Sequence, residues 1–197
     1  MARQAVLHPT LIDTLWPAAA MKPLRLAVLT IAGAALLTIA AKIQVPFYPV
    51  PMTMTTFAVL VIGMAYGWRL GAATVILYLA QGAAGLPVFA GTPEKGIGLA
   101  YLAGPTGGYL LGYAVAAAAC GWLAERGWDR NVILTAIAML VGNVLLYVPG
   151  LLWLGVLFGW DKPILEWGLT PFVLGDLTKL ALAAAVLPLA WKLLRRV

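Results

Sequence analysis

The sequence predicts an all-α integral membrane protein with six transmembrane helices and with its N- and C-termini in the cytoplasm. Composition is the first ground. Hydrophobic residues make up 63% of the 197 and charged residues only 10%, with a mean hydropathy of +0.95. A soluble domain carries roughly 25% charged residues to face water. Segment length is the second ground, since a helix needs about 20 predominantly apolar residues to cross a bilayer. Six runs approach that length: Leu24–Ala41, Thr53–Gly67, Leu70–Phe89, Pro105–Leu123, Val132–Trp153 and Pro171–Leu194. The third ground is charge placement. Six crossings put Arg3, Lys22, Arg25, Arg69, Arg126, Arg130, Lys192, Arg195 and Arg196 on one side and Lys42, Lys95 and Lys162 on the other, with Lys179 inside the last span. Nine against three assigns the terminal side to the cytoplasm by the positive-inside rule.

Each element follows in order. Residues 1–23 form an N-terminal interfacial segment, interfacial or disordered as far as residue 21. Its Trp16-Pro17 pair suits a headgroup-level anchor followed by a break. Residues 24–197 are the six-helix domain. Lys22 and Arg25 before an apolar run, with Ala40-Ala41 after it, also fit a signal peptide. An equally apolar segment from Thr53 onward favours an uncleaved first helix. Along that helix Ala27, Thr30, Ala34, Thr38 and Ala41 form a stripe of small residues at spacings of three, four, four and three. Such a stripe lets another helix approach closely, either from a partner or from the same chain. The loop that follows is stiffened in an extended shape by Pro46, Pro49 and Pro51. The second span is short, and the third ends between Gly85 and Phe89. The fourth opens from Gly104-Pro105-Thr106-Gly107-Gly108-Tyr109. Glycines here let the backbone come close to something and present its N–H groups.

Several function classes fall away. One cysteine, Cys120, and one histidine, His8, leave no disulfide and no cysteine metal cluster. There is no HExxH, no carboxylate pair within a span and no GxSxG elbow. The Gly104 segment lacks the lysine a Walker A loop needs, so nucleotide chemistry driving uphill transport would lie on another chain. The net charge of +6 comes from residues flanking apolar runs, as topology signals do, and gives no nucleic-acid surface.

Asp176 and Lys179 are the ionisable pair within a predicted span. A charge at membrane depth faces the bundle interior or a watery cavity. At i,i+3 the two share a helical face, where they either lock the last span or meet a ligand. Gln44 and Thr53 flank the first outward loop. Gln81 and Tyr147 lie toward the outer ends of the third and fifth spans, as candidate wall residues or ordinary interhelical hydrogen-bonding groups. Tyr109 is a candidate flat face for a ligand or a membrane-interface tyrosine.

Four blocks, Pro49-Val50-Pro51-Met52-Thr53, Gly85-Leu86-Pro87-Val88-Phe89-Ala90-Gly91, the Gly104–Tyr109 segment and Gly175-Asp176-Leu177-Thr178-Lys179, resemble the BioY family. Its members are the biotin-binding substrate (S) components of energy-coupling factor (ECF) transporters. The resemblance runs from about Leu24 to Leu194. It implies a high-affinity biotin pocket facing outward in a prokaryotic inner membrane, no catalytic activity, and biotin as cargo with no bound cofactor. It also implies a transmembrane coupling (T) subunit and a pair of ATP-hydrolysing subunits as partners, unless the chain works as a solitary transporter. An S component for another vitamin and an intramembrane enzyme using Asp176 and Lys179 as acid and base are the alternatives.

In the family the Asp-x-x-Lys block is associated with the ligand. A biotin ureido ring offers two N–H donors and a carbonyl acceptor, so Asp176 can accept an N–H while Lys179 donates to the carbonyl. For the biotin carboxylate, Lys95 in Thr92-Pro93-Glu94-Lys95-Gly96 is the candidate nearest the pocket and Lys42 its rival. The N–H groups around Gly107 and Gly108 are a third. This lysine-bearing loop departs from the plain glycine-rich loop of the family. The resemblance also assigns the small-residue face Ala27, Thr30, Ala34, Thr38 to T-subunit docking, although threonines replace some of the expected alanines.

Overall fold

Backbone in hydrocarbon must satisfy its own hydrogen bonds, so apolar runs of this length become helices. The computed structural model, which describes residues 8–17 and 22–194, is built on them. In chain order it has α1 (Leu11–Leu15), α2 (Lys22–Lys42), strands β1 (Gln44–Val45) and β2 (Met52–Thr53), α3 (Thr55–Ala83), α4 (Gly98–Leu102), α5 (Gly107–Ala124), α6 (Val132–Phe158), α7 (Ile164–Gly168) and α8 (Val173–Leu194). Short 3₁₀ turns occupy Trp128–Arg130 and Thr170–Phe172. Among the described residues, five helical stretches are long and apolar enough to cross a membrane.

Five stand where six spans are expected, and the difference lies in α3. Its helical run is broken at Gly67, whose φ of 80° and ψ of 172° only glycine adopts without strain. Beyond it the chain turns back. A Cβ on Gly71 would lie 2.9 Å from the Gly63 Cα, whereas eight residues of straight helix would separate the two by about 12 Å. The Trp68 N–H donates to Glu125 Oε1 at 3.1 Å, fixing this turn to the end of α5. The expected spans 53–67 and 70–89 are therefore two helical arms folded back on each other at Gly67 within the range of α3, and the second stops at Ala83.

Other boundaries shift by a few residues. α6 runs through Pro149 to Phe158, five residues past the expected end. The 43–54 loop, expected to be plainly extended, is instead a small antiparallel ribbon pairing Gln44 with Thr53 and Val45 with Met52. Residues 84–97 form a loop that folds into the bundle, with Phe89 buried.

α5 is the central helix, with α3 and α6 packed along it. The core is filled by Leu37, Leu60, Met64, Val75, Tyr78 and Leu146, each fully buried. Outward faces carry large apolar side chains such as Ile31, Ile39, Ile137, Val144 and Leu177. That pattern suits a lipid environment, in which apolar surface needs no cover.

The N-terminal segment is ordered from His8. Thr10 caps α1 by accepting from the Asp13 N–H, and Leu11 is buried in the core. Arg25 ties α1 to α2, donating to Asp13 Oδ1 at 2.9 Å and to the Ile12 carbonyl at 3.1 Å. Of the two readings, interfacial or disordered, the structure shows residues 8–17 ordered, while residues 1–7 and 18–21 lie outside the described part. At the same end Asp129 is fully buried and accepts from the Trp191 indole N–H. Burial pushes its carboxyl above the ordinary range, against the lowering effect of the indole and Arg130. Arg3, Arg195 and Arg196 also fall outside the described residues.

Candidate functional site

At the opposite end, the loops 43–54, 84–106 and 159–172 gather over a cleft of about 550 Å³, part of it open to solvent. α8 places Asp176 and Lys179 in its wall. β2 and the start of α3 add Thr53, Thr55 and Thr56. α5 adds Tyr109 and Tyr113, and α6 adds Leu146 and Tyr147.

Asp176 lies in the first turn of α8 and is 8% exposed. Its Oδ1 accepts from Lys179 Nζ at 3.0 Å, and its Oδ2 accepts a short hydrogen bond from the Tyr147 hydroxyl. Lys179 Nζ also donates to the Thr53 carbonyl at 2.8 Å and to Thr56 Oγ1 at 2.9 Å. An ammonium has three donors, and all three are engaged. A carboxylate has about four acceptor positions, and two remain open. The pair is therefore asymmetric: Asp176 can accept from a ligand as it stands, while Lys179 must give up a partner to donate to one. A buried ion pair holds together only when its remaining hydrogen-bonding capacity is met, and the threonines and Tyr147 provide this.

The opposite wall is aromatic. Tyr78 meets Phe89 edge-on at 5.3 Å, and Phe89 stacks on Tyr101 at 5.0 Å. The hydroxyls of Tyr78 and Tyr101 donate to the carbonyls of Val88 and Ala90 at 3.3 and 2.7 Å, so the Val88–Ala90 segment is hung from α3 and α4. Aromatic faces of this kind suit a flat or puckered ring.

Of the residues singled out from the sequence, Asp176, Lys179, Tyr147, Tyr109 and Thr53 come together at the cleft. Tyr109 is partly committed elsewhere. Its hydroxyl donates to the Gly168 carbonyl at 2.8 Å, and its ring braces Tyr147 edge-on at 5.9 Å. Gln44, Gln81 and Lys95 are not among the lining residues. Gln44 is exposed on β1, Gln81 is half-buried, and Lys95 is exposed with its aliphatic chain folded over Gly91. Lys42 is engaged with the loop, donating to the Phe89 carbonyl at 2.9 Å and to Thr92 Oγ1 at 3.0 Å.

Gly107 and Gly108 also stand outside the lining. The Gly107 N–H already donates to the Gly104 carbonyl at 3.0 Å. Gly108 is where α5 meets α6: a Cβ there would collide with the Pro149 carbonyl oxygen and lie 3.0 Å from its carbon. The glycines serve helix approach, so the open-N–H reading is replaced by a packing one. Gly108→Ala should lower the unfolding free energy by about 1–3 kcal/mol, measured by thermal or chemical denaturation in detergent. Its effect on an anionic ligand and on the corresponding amide should be equal.

Sequence reasoning passed over Tyr113, Tyr78, Tyr101, Thr56 and Thr106, all of which line the cleft. Tyr113 sits one turn beyond Tyr109 on α5, so helical spacing carried a signal for it, whereas Thr56 on α3 and Thr53 on β2 belong to different elements. Tyr101 had none, because α4 is a single short turn inside a loop.

The small-residue stripe is divided. Ala34 is fully buried against the chain's own bundle, Thr30 and Thr38 are half-buried, and Ala27 is exposed. The hydroxyls of Thr30 and Thr38 turn back to the Leu26 and Ala34 carbonyls at 2.7 and 3.0 Å. The stripe thus does not lie on one outward face.

A polytopic helical bundle with a cleft at one end, lined by aromatic side chains and one buried ion pair, has the architecture of a membrane-embedded substrate-binding component. A crystal structure of the S-component for biotin from an ECF-type ABC transporter superposes with a TM-score of 0.73, at 23% identity, over 88% of this chain and 94% of that one. The chain belongs to the BioY family, whose sequence model matches residues 13–196. Relatives include the probable biotin transporter BioY of Pyrococcus horikoshii (34% identical, covering 77% of this chain and 87% of that protein) and the biotin transporter BioY of Thermotoga maritima (36%, with the same coverage). The biotin transporter BioY of Rhodobacter capsulatus is 38% identical over 71% of this chain and 77% of its own.

Proposed function

We propose that the protein is a high-affinity biotin-binding S component of an ECF-type vitamin uptake transporter. The observation that carries this reading is the asymmetric Asp176–Lys179 pair beside an aromatic wall, in the cleft of a BioY-family chain. Asp176 accepts a ureido N–H through its open acceptor positions. Lys179 holds the carboxylate in place through the contact at 3.0 Å rather than meeting the ligand first. The bicyclic ring packs against Tyr78, Phe89 and Tyr101. Biotin is cargo, and the chain performs no catalysis on it.

The two arms of α3, folded back at Gly67, support six membrane crossings in all. Arg25, Arg69, Arg126 and Arg130 then share one end with both termini, and the cleft occupies the other. By the positive-inside rule the termini are cytoplasmic and the cleft opens outward from a prokaryotic inner membrane. A T subunit and two ATP-hydrolysing subunits supply the energy for release inward. Thermal shift of the purified chain across a vitamin panel tests the ligand. Biotin alone should stabilise it, and stabilisation by a different vitamin would move the reading to that S component.

The carboxylate of biotin is taken up at the cleft mouth. If Lys95 swings to it, Lys95→Gln should weaken biotin by about 1.5–3 kcal/mol, the worth of a hydrogen bond to a charged group, and weaken biotin amide much less. Additive effects of the protein and ligand changes would remove Lys95 from the site. The same cycle then applies to Lys42, whose release from Thr92 would be required.

A further inference from the structure

Val88, Phe89, Ala90 and Thr92 are buried, yet the segment that carries them belongs to no helix or strand. Carbonyls folded into an interior need donors, and here side chains provide them. Tyr78 of α3 serves Val88 and Tyr101 of α4 serves Ala90. The remaining fastening comes from Lys42, the last residue of α2. Its Nζ donates to the carbonyls of Phe89 and Thr92 at 2.9 and 3.2 Å and to Thr92 Oγ1 at 3.0 Å. Thr92 Oγ1 in turn donates to the Phe89 carbonyl at 2.7 Å. All three donors of the ammonium are thus spent on two residues.

What this fastening places is the Phe89 ring. The ring lies against the Gly82 backbone of α3, where a Cβ would collide with it, and is flanked by Tyr78 and Tyr101. Phe89 and Ala90 line the cleft, whereas Lys42 does not, and among the described residues no lining residue comes from α2. Lys42 therefore acts on a ligand through the segment that it holds. Without it the Phe89 carbonyl would keep only Thr92 as donor, and the Thr92 carbonyl would keep none among the described residues.

We propose that Lys42 is a positioning residue for the cargo: by pinning Phe89 and Thr92 to the end of α2 it fixes the aromatic wall, and so sets the preference for a fused ring over a single one. A fused bicycle buries more apolar surface on that wall than a lone ureido ring does, so it loses more when the wall loosens. The consequence for biotin rests on the reading above, but the pinning is defined without a ligand.

The test uses the full chain in detergent. Hydrogen exchange read by mass spectrometry reports on the free protein. Lys42→Met should speed exchange in peptides covering residues 86–95 by about ten-fold, as local opening becomes easier. Lys42→Arg, which keeps charge and donors, should restore the wild-type rate. Equilibrium binding then reads the ligand side. Lys42→Met should weaken biotin by about ten-fold, the low end for hydrogen bonds to a charged group. It should weaken biotin amide equally, and the monocyclic analogue desthiobiotin much less. Thr92→Val should act in the same direction and be non-additive with Lys42→Met. Lys42 is exposed, so its replacement spares the core; should that variant still not fold, Thr92→Val alone carries the same expectations. Unchanged exchange in a folded variant would overturn the pinning. A loss seen with biotin and spared with the amide would make Lys42 a carboxylate partner and overturn the positioning role. Equal losses for biotin and desthiobiotin would overturn the ring preference. A wild type that binds no biotin would count against the proposed function, while the exchange result would still decide the pinning.

Discussion

Asp176→Asn should weaken biotin by at least ten-fold, and Lys179→Met should destabilise the protein itself. The two outcomes differ because the two partners are differently satisfied. Asparagine keeps one acceptor and gains a donor, so a ureido N–H meets an amide in place of a carboxylate and loses about 1.5–3 kcal/mol of charge-assisted bonding. Lys179 is also left facing a neutral group, with the Thr53 carbonyl and Thr56 still in reach. Lys179→Met instead leaves Asp176 buried with only Tyr147 donating to it, and breaking a buried pair from one side costs about 3–5 kcal/mol. Equilibrium binding in detergent reads the first variant and thermal denaturation the second. Unchanged biotin affinity in a folded Asp176→Asn protein would show that the pair merely locks α8 to α3.

Ala34→Trp should prevent folding, whereas Ala27→Trp should leave a folded, biotin-binding protein with impaired uptake. Both positions belong to the small-residue stripe of α2, yet Ala34 is fully buried and Ala27 faces outward. An indole at Ala34 has to displace core side chains, a penalty beyond the roughly 1–3 kcal/mol of inserted methylenes. At Ala27 it projects into lipid, or into whatever helix docks there. Yield and monodispersity of the Ala34 variant, together with biotin binding and cellular uptake by the Ala27 variant, check the pair. Full uptake by a folded Ala27→Trp protein would take the docking face away from this side of α2.

Much of this fold was legible because hydrocarbon imposes one rule on every span, and apolar run length reports it. The Gly67 turn was legible as a gap between two runs, but its anchor was not, since Glu125, which accepts from the Trp68 N–H, comes from the end of α5. Asp176 and Lys179 were legible because charge is scarce at membrane depth. Their unequal spare capacity was not, because it is set by Tyr147, Thr53 and Thr56, which reach them from other helices. Close backbone approach was legible in the glycines at 107 and 108, but their neighbours were not: Gly107 packs against the Leu102 carbonyl and Gly108 against Pro149 of α6. Lys42 illustrates the same limit. A lysine at a helix end says nothing of the Phe89 and Thr92 acceptors forty-seven and fifty residues away.

The relay from Gly168 through Tyr109 and Tyr147 to Asp176 bears on when order is paid for. Each of these side chains is fixed by a partner within the protein before any ligand arrives, so the loss of rotamer freedom belongs to folding and not to capture. A ligand entering such a cleft meets an acceptor already aimed, and little of its gross interaction energy is consumed in organising the site. Among variants that loosen the relay without removing Asp176, encounter should proceed at much the same rate, and the difference should appear in how long biotin stays.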